Sequence, residues 1–352
     1  MKSFSLVVLL AASITSAFAT DVVLMPKRAW DEPNSPYSLF SQYESNLAYL
    51  PRTGKSKSTP WSDTYWPSAK GGIAYRWQKP VDSSKPFNYR LNSWKAVSKM
   101  TTEEINSLSP AEKYDILMGD YSYPTVRREL QRTHSNDQSW FGLCHAVAVT
   151  STQFPEPQIK NLTFRLPDGK AKQITFYSSD TKALLAEYVN ENFPGTPTMG
   201  RRCESATLSN NSECWDVNPG SFFIAITNVI GLLRDPVVLD VDVNNEVWNS
   251  AAFAYDYTLA PKKTIGRNAA RGTVKEYTVT MNVYNNKGAT PRKAPNGSVS
   301  MKSTYLYTIE IDRLGNVIGG EWITEKHPDF VWMSNKVIIA PGYYGALNDL
   351  VR

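Results

Sequence analysis

Residues 303–323 read STYLYTIEIDRLGNVIGGEWI, two apolar runs on either side of the turn Leu314-Gly315-Asn316. Apolar and polar residues alternate through the first run, the period of a strand that buries one face, and the turn folds the second run back as a hairpin. YTVTMNVYN before it and NKVIIA after it also read as strands, so the last third of the chain is mostly sheet. Upstream, SFFIAITNVIG and PVVLDVDV are apolar runs of strand length and extend the expectation of sheet to residues 221–231 and 236–243.

Helical signals come earlier. In SLSPAEKYDILMGD, Ser109 is placed to cap, Pro110 to open, Glu112 to complete a capping box and Gly119 to stop a helix. LCHAVAVT predicts a second helix from about Gly142, with Asp137 and Ser139 upstream as caps. FRLPDGKAKQITFYSS alternates around Pro167-Asp168-Gly169 and predicts a hairpin; DTKALLAEYVNEN predicts an amphipathic helix capped by Asp180 and ended at Pro194-Gly195. Helices followed by sheet give an α+β fold. The expected organisation is a leader over 1–19, a loop-rich region rich in Pro, Ser, Trp and Tyr over 20–105, a core over 106–260 and a β-rich part over 261–352.

The leader is read from Lys2, an apolar run from Phe4 to about Ala12 and Ala17-Phe18-Ala19, the layout of a secretory signal peptide. The expected product begins near Thr20, is secreted, and has no later apolar run long enough to span a membrane. Without Lys2 there are 37 basic against 33 acidic residues, a net +4 spread without a basic block, so nucleic acid is not an expected partner.

Three cysteines are present. In an exported protein Cys203 and Cys214, within RRCESATLSNNSEC, can close a small disulfide loop, which leaves Cys144 unpaired. A thiol at the head of a helix gains amide N–H groups and a partial positive charge that favour thiolate. In WFGLCHAVAV, Trp140 can wall such a site from water and Gly142 can let a substrate carbonyl approach the backbone; an inert core helix accounts for the same residues equally well. Cysteine catalysis also asks for a histidine base held by a carboxylate or amide. His145 follows the cysteine and points about 100° away round the helix, and His134 lies in a polar loop. His327, in KHPDFVW, is the base by elimination, with a structural role beside Pro328 as the alternative. DVDVNNE lacks the glycine of a calcium loop; as a strand it puts Asp240, Asp242 and Asn244 on one face, where one of them can orient a base.

Taken in order, YWPSAKGGIAYRW, LSPAEKYDILMGD, WFGLCHAVA, the DTKALL helix, GRRC, CWDVNPGSF, DVDVNNEVWN and GGEW with HPDFVW resemble the transglutaminase elicitor family of secreted acyltransferases. The resemblance implies a papain-like core, possession of a cysteine nucleophile at Cys144, and a strand carboxylate at Asp240 or Asp242. It further implies calcium-dependent cross-linking of a protein glutamine donor to a lysine acceptor, with no metal ligands named by the sequence. The family's elicitor peptide V-W-N-Q-P reads here Val247-Trp248-Asn249-Ser250-Ala251, making Trp248 a third substrate-facing candidate beside Trp140 and Gly142. Where the family pattern N-P-x-x-F is followed by a histidine at the start of a strand, this chain has Phe223. The implied alternatives are His327 as base, a catalytically impaired binding or elicitor-like protein, or a protease or deamidase sharing the same first step.

Overall fold

The computed structural model describes residues 29–79, 90–193, 195–202, 216–242 and 246–352. The leader and the Cys203 and Cys214 pairing therefore lie outside the described residues, as does Asn244. The fold is mixed α and β.

Among the described residues the helices are α1 (Trp94–Lys99), α2 (Thr102–Asn106), α3 (Pro110–Leu117), α4 (Pro124–Arg132), α5 (Cys144–Gln153), α6 (Ser178–Glu191), α7 (Pro219–Ile226) and α8 (Leu347–Val351). The strands are β1 (Thr53–Lys55), β2 (Lys160–Arg165), β3 (Ala171–Phe176), β4 (Thr198–Gly200), β5 (Val237–Asp240), β6 (Asn249–Pro261), β7 (Lys275–Asn286), β8 (Ser300–Ile311), β9 (Val317–Trp322) and β10 (Phe330–Trp332). One sheet runs β4-β10-β5-β6-β7-β8-β9, with β1 paired on β6; β2 and β3 form a separate hairpin. Every pairing in the main sheet is antiparallel.

The capping box opens α3 as read: Ser109 accepts from the Glu112 N–H and Glu112 reaches back to the Ser109 N–H. Gly119, at φ 71°, follows it in the left-handed region that glycine tolerates. The β2–β3 hairpin also forms, with Gly169 at φ 83°.

Three local expectations are corrected. SFFIAITNVIG is helix, not strand: Asn218 caps it through the Gly220 and Ser221 N–H groups, Pro219 takes the first turn, and α7 continues as a π-helical stretch, Thr227–Leu233. All eight residues of α7 are buried, so the run shows no polar face by which a helical period could be read. NKVIIA is an extended strap across α5 and α6, with Val337 N–H on Gln153 Oε1 and the Ile338 carbonyl accepting from Tyr188 Oη. In α6 twelve residues are buried, so it is a core helix and not an amphipathic one, and it starts at Ser178 with Asp180 accepting from the Tyr177 N–H.

The β5 pleat separates two apolar cores. Val238 packs with Trp332 and the α5–α6 side chains Ala146, Val149, Ala183 and Leu184. Val237 and Leu239 pack with Phe222 and Phe223 of α7 and with Val331. Each fully buried Val, Leu or Phe contributes roughly 1.5–3 kcal/mol. Both cores draw on residues from before position 80, including Trp61 and Trp66 for the first and Phe40 and Leu50 for the second.

Candidate active site

Cys144 is the first residue of α5 and is half-buried. Neither Asp137 nor Ser139 caps the helix; Leu143 stands at the cap without a side-chain bond, and its N–H goes to the Tyr65 carbonyl. Asp137 binds the Ser68 hydroxyl and the His134 N–H, while the Ser139 carbonyl accepts from Tyr65 Oη. Gly142 lines the cleft beside Cys144, and a second close approach, within the chain, also requires it. A Cβ there would meet the Tyr65 carbonyl at 2.5 Å and the Trp66 carbonyl at 3.0 Å, so the glycine lets the Cys144 turn lie against residues 65–66.

The sulfur opens on a cleft of about 730 Å³ whose walls include Trp140, Phe141, His145, Phe193, Asn249 and Trp332. The thiol is 3.5 Å from the Val247 carbonyl, and Asn249 Nδ2 lies 3.7 Å from Sγ. Asn249 Oδ1 accepts from Trp332 Nε1 at 2.7 Å, which fixes the amide with its nitrogen toward sulfur. Burial pushes the thiol above its usual range; the Asn249 backbone and side-chain N–H groups and the His145 N–H pull it back, and Asp240 adds a push upward. Among the described residues no imidazole is hydrogen-bonded to this sulfur.

Asp240 lies on this face of the sheet, paired with Asn249 across β5 and β6. It is fully buried; Oδ1 accepts from the Trp248 N–H at 2.7 Å and from the Asp242 N–H at 3.4 Å, and Oδ2 has no hydrogen-bond partner. Burial raises its carboxyl to about 7 against the pull of those N–H groups. Asp242 lies beyond the end of β5. Val247 and Asn249 line the cleft, whereas the Trp248 ring turns to Tyr65, edge to face at 4.9 Å, with Nε1 on Glu246. Trp248 is thus a structural residue beside the site. Trp140 does line it, its ring 4.4 Å from that of Phe141 and under the Arg202 guanidinium at 5.3 Å.

His327 is elsewhere. Its ring stacks on Trp322 at 4.8 Å and Nδ1 faces Asp216 at 3.5 Å, in surroundings that hold its pKa down to about 4, chiefly by burial. Trp322 packs against Phe222, so His327 belongs to the α7 face of the sheet. Phe223 is also on that face, fully buried within α7 and 4.9 Å from Tyr257. A histidine at 223 would lie across the sheet from Cys144. His145, set aside in the sequence, lines the cleft with its ring 5.5 Å from Phe193 and its pKa lowered chiefly by burial. Asn249 is the residue that sequence reasoning missed; its only signal was its place in the V-W-N run.

The model of the transglutaminase elicitor family matches residues 38–290 and 273–338. The chain belongs to the transglutaminase elicitor family. The GP42 transglutaminase from Phytophthora sojae, seen in a crystal structure, is similar to this member with a TM-score of 0.65 and 19% identity, over 92% of this chain and 98% of that one. At that identity the likeness is one of fold. No curated protein matches this family member.

Proposed function

We propose that the protein is a thiol-dependent acyltransferase in which Cys144 takes the acyl group of a glutamine side chain as a thioester and passes it to a lysine amine. The observation that carries this reading is the setting of the sulfur, at the head of α5, facing a cleft, with the Asn249 and His145 N–H groups and the Asn249 amide directed at it. Those N–H donors are the kind that stabilise the oxyanion of an attacked carboxamide. The aromatic walls accept the aliphatic stem of a glutamine or lysine side chain. The thiolate adds to the carboxamide carbon, the C–N bond breaks with ammonia taking a proton, and the amine displaces the thiol. His145, whose pKa burial lowers, and Asp240, titrating near 7, are groups on this side of the sheet that can accept a proton.

Because burial holds the thiol up, the rate rises toward alkaline pH. The test is incorporation of a labelled primary amine into a glutamine-bearing protein from mildly acidic to alkaline pH. Incorporation that climbs with pH and vanishes in Cys144→Ala is the expected result; incorporation that survives the substitution sinks the reading. Ammonia release without amine incorporation identifies a deamidase. The contact of an amide, not an imidazole, with the sulfur favours a second reading, a binding protein on a transglutaminase scaffold, and no turnover at any pH selects it.

The helix-headed thiol against antiparallel strands supports the papain-like resemblance. Among the described residues no group of three or more His, Cys, Asp or Glu side chains is set to hold a metal ion. Among the described residues no helix is long and apolar enough to cross a membrane. The reading includes export through a leader cleaved near Thr20, which the N-terminus of the exported protein tests.

A further inference from the structure

Lys182, on α6, has no exposed side-chain surface. Its ammonium donates to Glu156 Oε1 at 2.7 Å and to the Ser62 carbonyl at 3.0 Å, and it lies 4.9 Å from the centre of the Trp61 ring. A second carboxylate, Asp63, stands with Oδ2 4.0 Å from the same nitrogen, also without exposed side-chain surface. Asp63 Oδ1 accepts from the Thr64 N–H at 2.7 Å, but Oδ2 has no hydrogen-bond partner. An ion pair is a poor account of Asp63: the contact is too long for a hydrogen bond, and burial of a carboxylate is repaid only when its oxygens are satisfied. Burial in fact carries this carboxyl up to about 7, against the pull of Lys182, the Ser179 hydroxyl and the Thr64 N–H. The cluster thus holds an amine, a carboxyl group whose Oδ2 is 4.0 Å from it, a further carboxylate already on the amine's proton, and an aromatic wall.

We propose that Lys182 and Asp63 condense into an intramolecular isopeptide bond, with Glu156 as the proton carrier. Nζ bonds to Cγ of Asp63 and the bond from Cγ to Oδ2 breaks. Two protons leave the ammonium, the first by way of Glu156, and both end on the departing oxygen, which leaves as water; no oxidant or further reactant is needed. Holding the two groups in one buried site turns a slow bimolecular condensation into a unimolecular one, an advantage on the order of 10⁵ M or more in well-oriented cases. The product ties the segment after Trp61 to α6 and, like any long-range cross-link, limits the freedom of the unfolded chain. This inference is independent of the acyltransferase reading, since Cys144 takes no part.

The measurement is the intact mass of the reduced, denatured chain, compared with Lys182→Arg prepared identically. The wild type is expected to be lighter than its calculated mass by one water, the variant to have its full mass, and a digest to contain one branched peptide joining Asp63 to Lys182. Full mass in the wild type overturns the proposal. Loss of ammonia in place of water moves the bond to Asn296, whose buried Oδ1 also has no partner and whose Nδ2 is 3.3 Å from the Ser62 carbonyl, and overturns the assignment to Asp63. Cys144→Ala is expected to keep the bond; its loss there overturns spontaneous formation. Each variant is taken from its soluble, folded fraction before denaturation, so that a missing bond reports chemistry and not a failure to fold.

Discussion

The two faces of the β4-β10-β5-β6 portion of the sheet differ in what the chain has placed on them. One carries Asp240 and Asn249 beneath the Cys144 helix and opens into the cleft; the other, formed by Val237, Leu239 and Val331, is sealed by α7 and bears Phe223, with Trp322 and His327 packed beside it. Leu239 and Asp240 are neighbours in sequence and lie on opposite sides, because successive side chains of a strand alternate. A histidine chosen for its distance along the chain can therefore be of the right type and on the wrong face. His327 and the histidine expected at position 223 both fail as bases for Cys144 for this reason.

Four measurements break or sharpen that contrast. On the open face, Cys144→Ala is expected to reduce amine incorporation by ~10⁶-fold or to background, as loss of a nucleophile does elsewhere. Asn249→His puts an imidazole where the amide meets sulfur, and alkylation of Cys144 at mildly acidic pH should accelerate by about 10-fold or more, because a neighbouring imidazolium favours thiolate; an unchanged rate would show that the sulfur is not governed by this contact. On the sealed face, Phe223→His is expected to leave alkylation unchanged while costing roughly 3 kcal/mol in denaturant unfolding, from lost packing and an unpaired buried ring nitrogen. The smallest effect concerns pH. His327, with its pKa near 4 when folded, is protonated more readily in the unfolded chain, at about 6.5. Its contribution to stability is full above that value and is lost as pH falls from about 6.5 toward 4. His327→Phe, which retains a ring to stack on Trp322, should flatten this part of the stability profile, and no change in slope would contradict the buried neutral ring.

The parts legible in the sequence are those whose cause is local. Ser109 and Glu112 satisfy each other's backbone three residues apart, and Pro167-Asp168-Gly169 supplies the turn of the β2–β3 hairpin from adjacent positions, so both could be read directly. Cys144 was legible as a lone thiol before a small apolar run. Its partners were not: Asn249 is 105 residues away, and Trp332, which orients it, a further 83. Nothing in a linear pattern reports that three such positions meet. Complete burial defeated the reading of α7 for a related reason, since period is visible only where one side of an element stays wet.

β10 lies between β4 and β5 in the sheet although it comes almost last along the chain. A ribosome delivers this strand only after most of the molecule has emerged, and until it inserts there is no indole to turn the Asn249 amide toward the sulfur. The thiol of an unfinished chain therefore lacks its final surroundings, and whatever reactivity the cleft has is withheld until synthesis is nearly over.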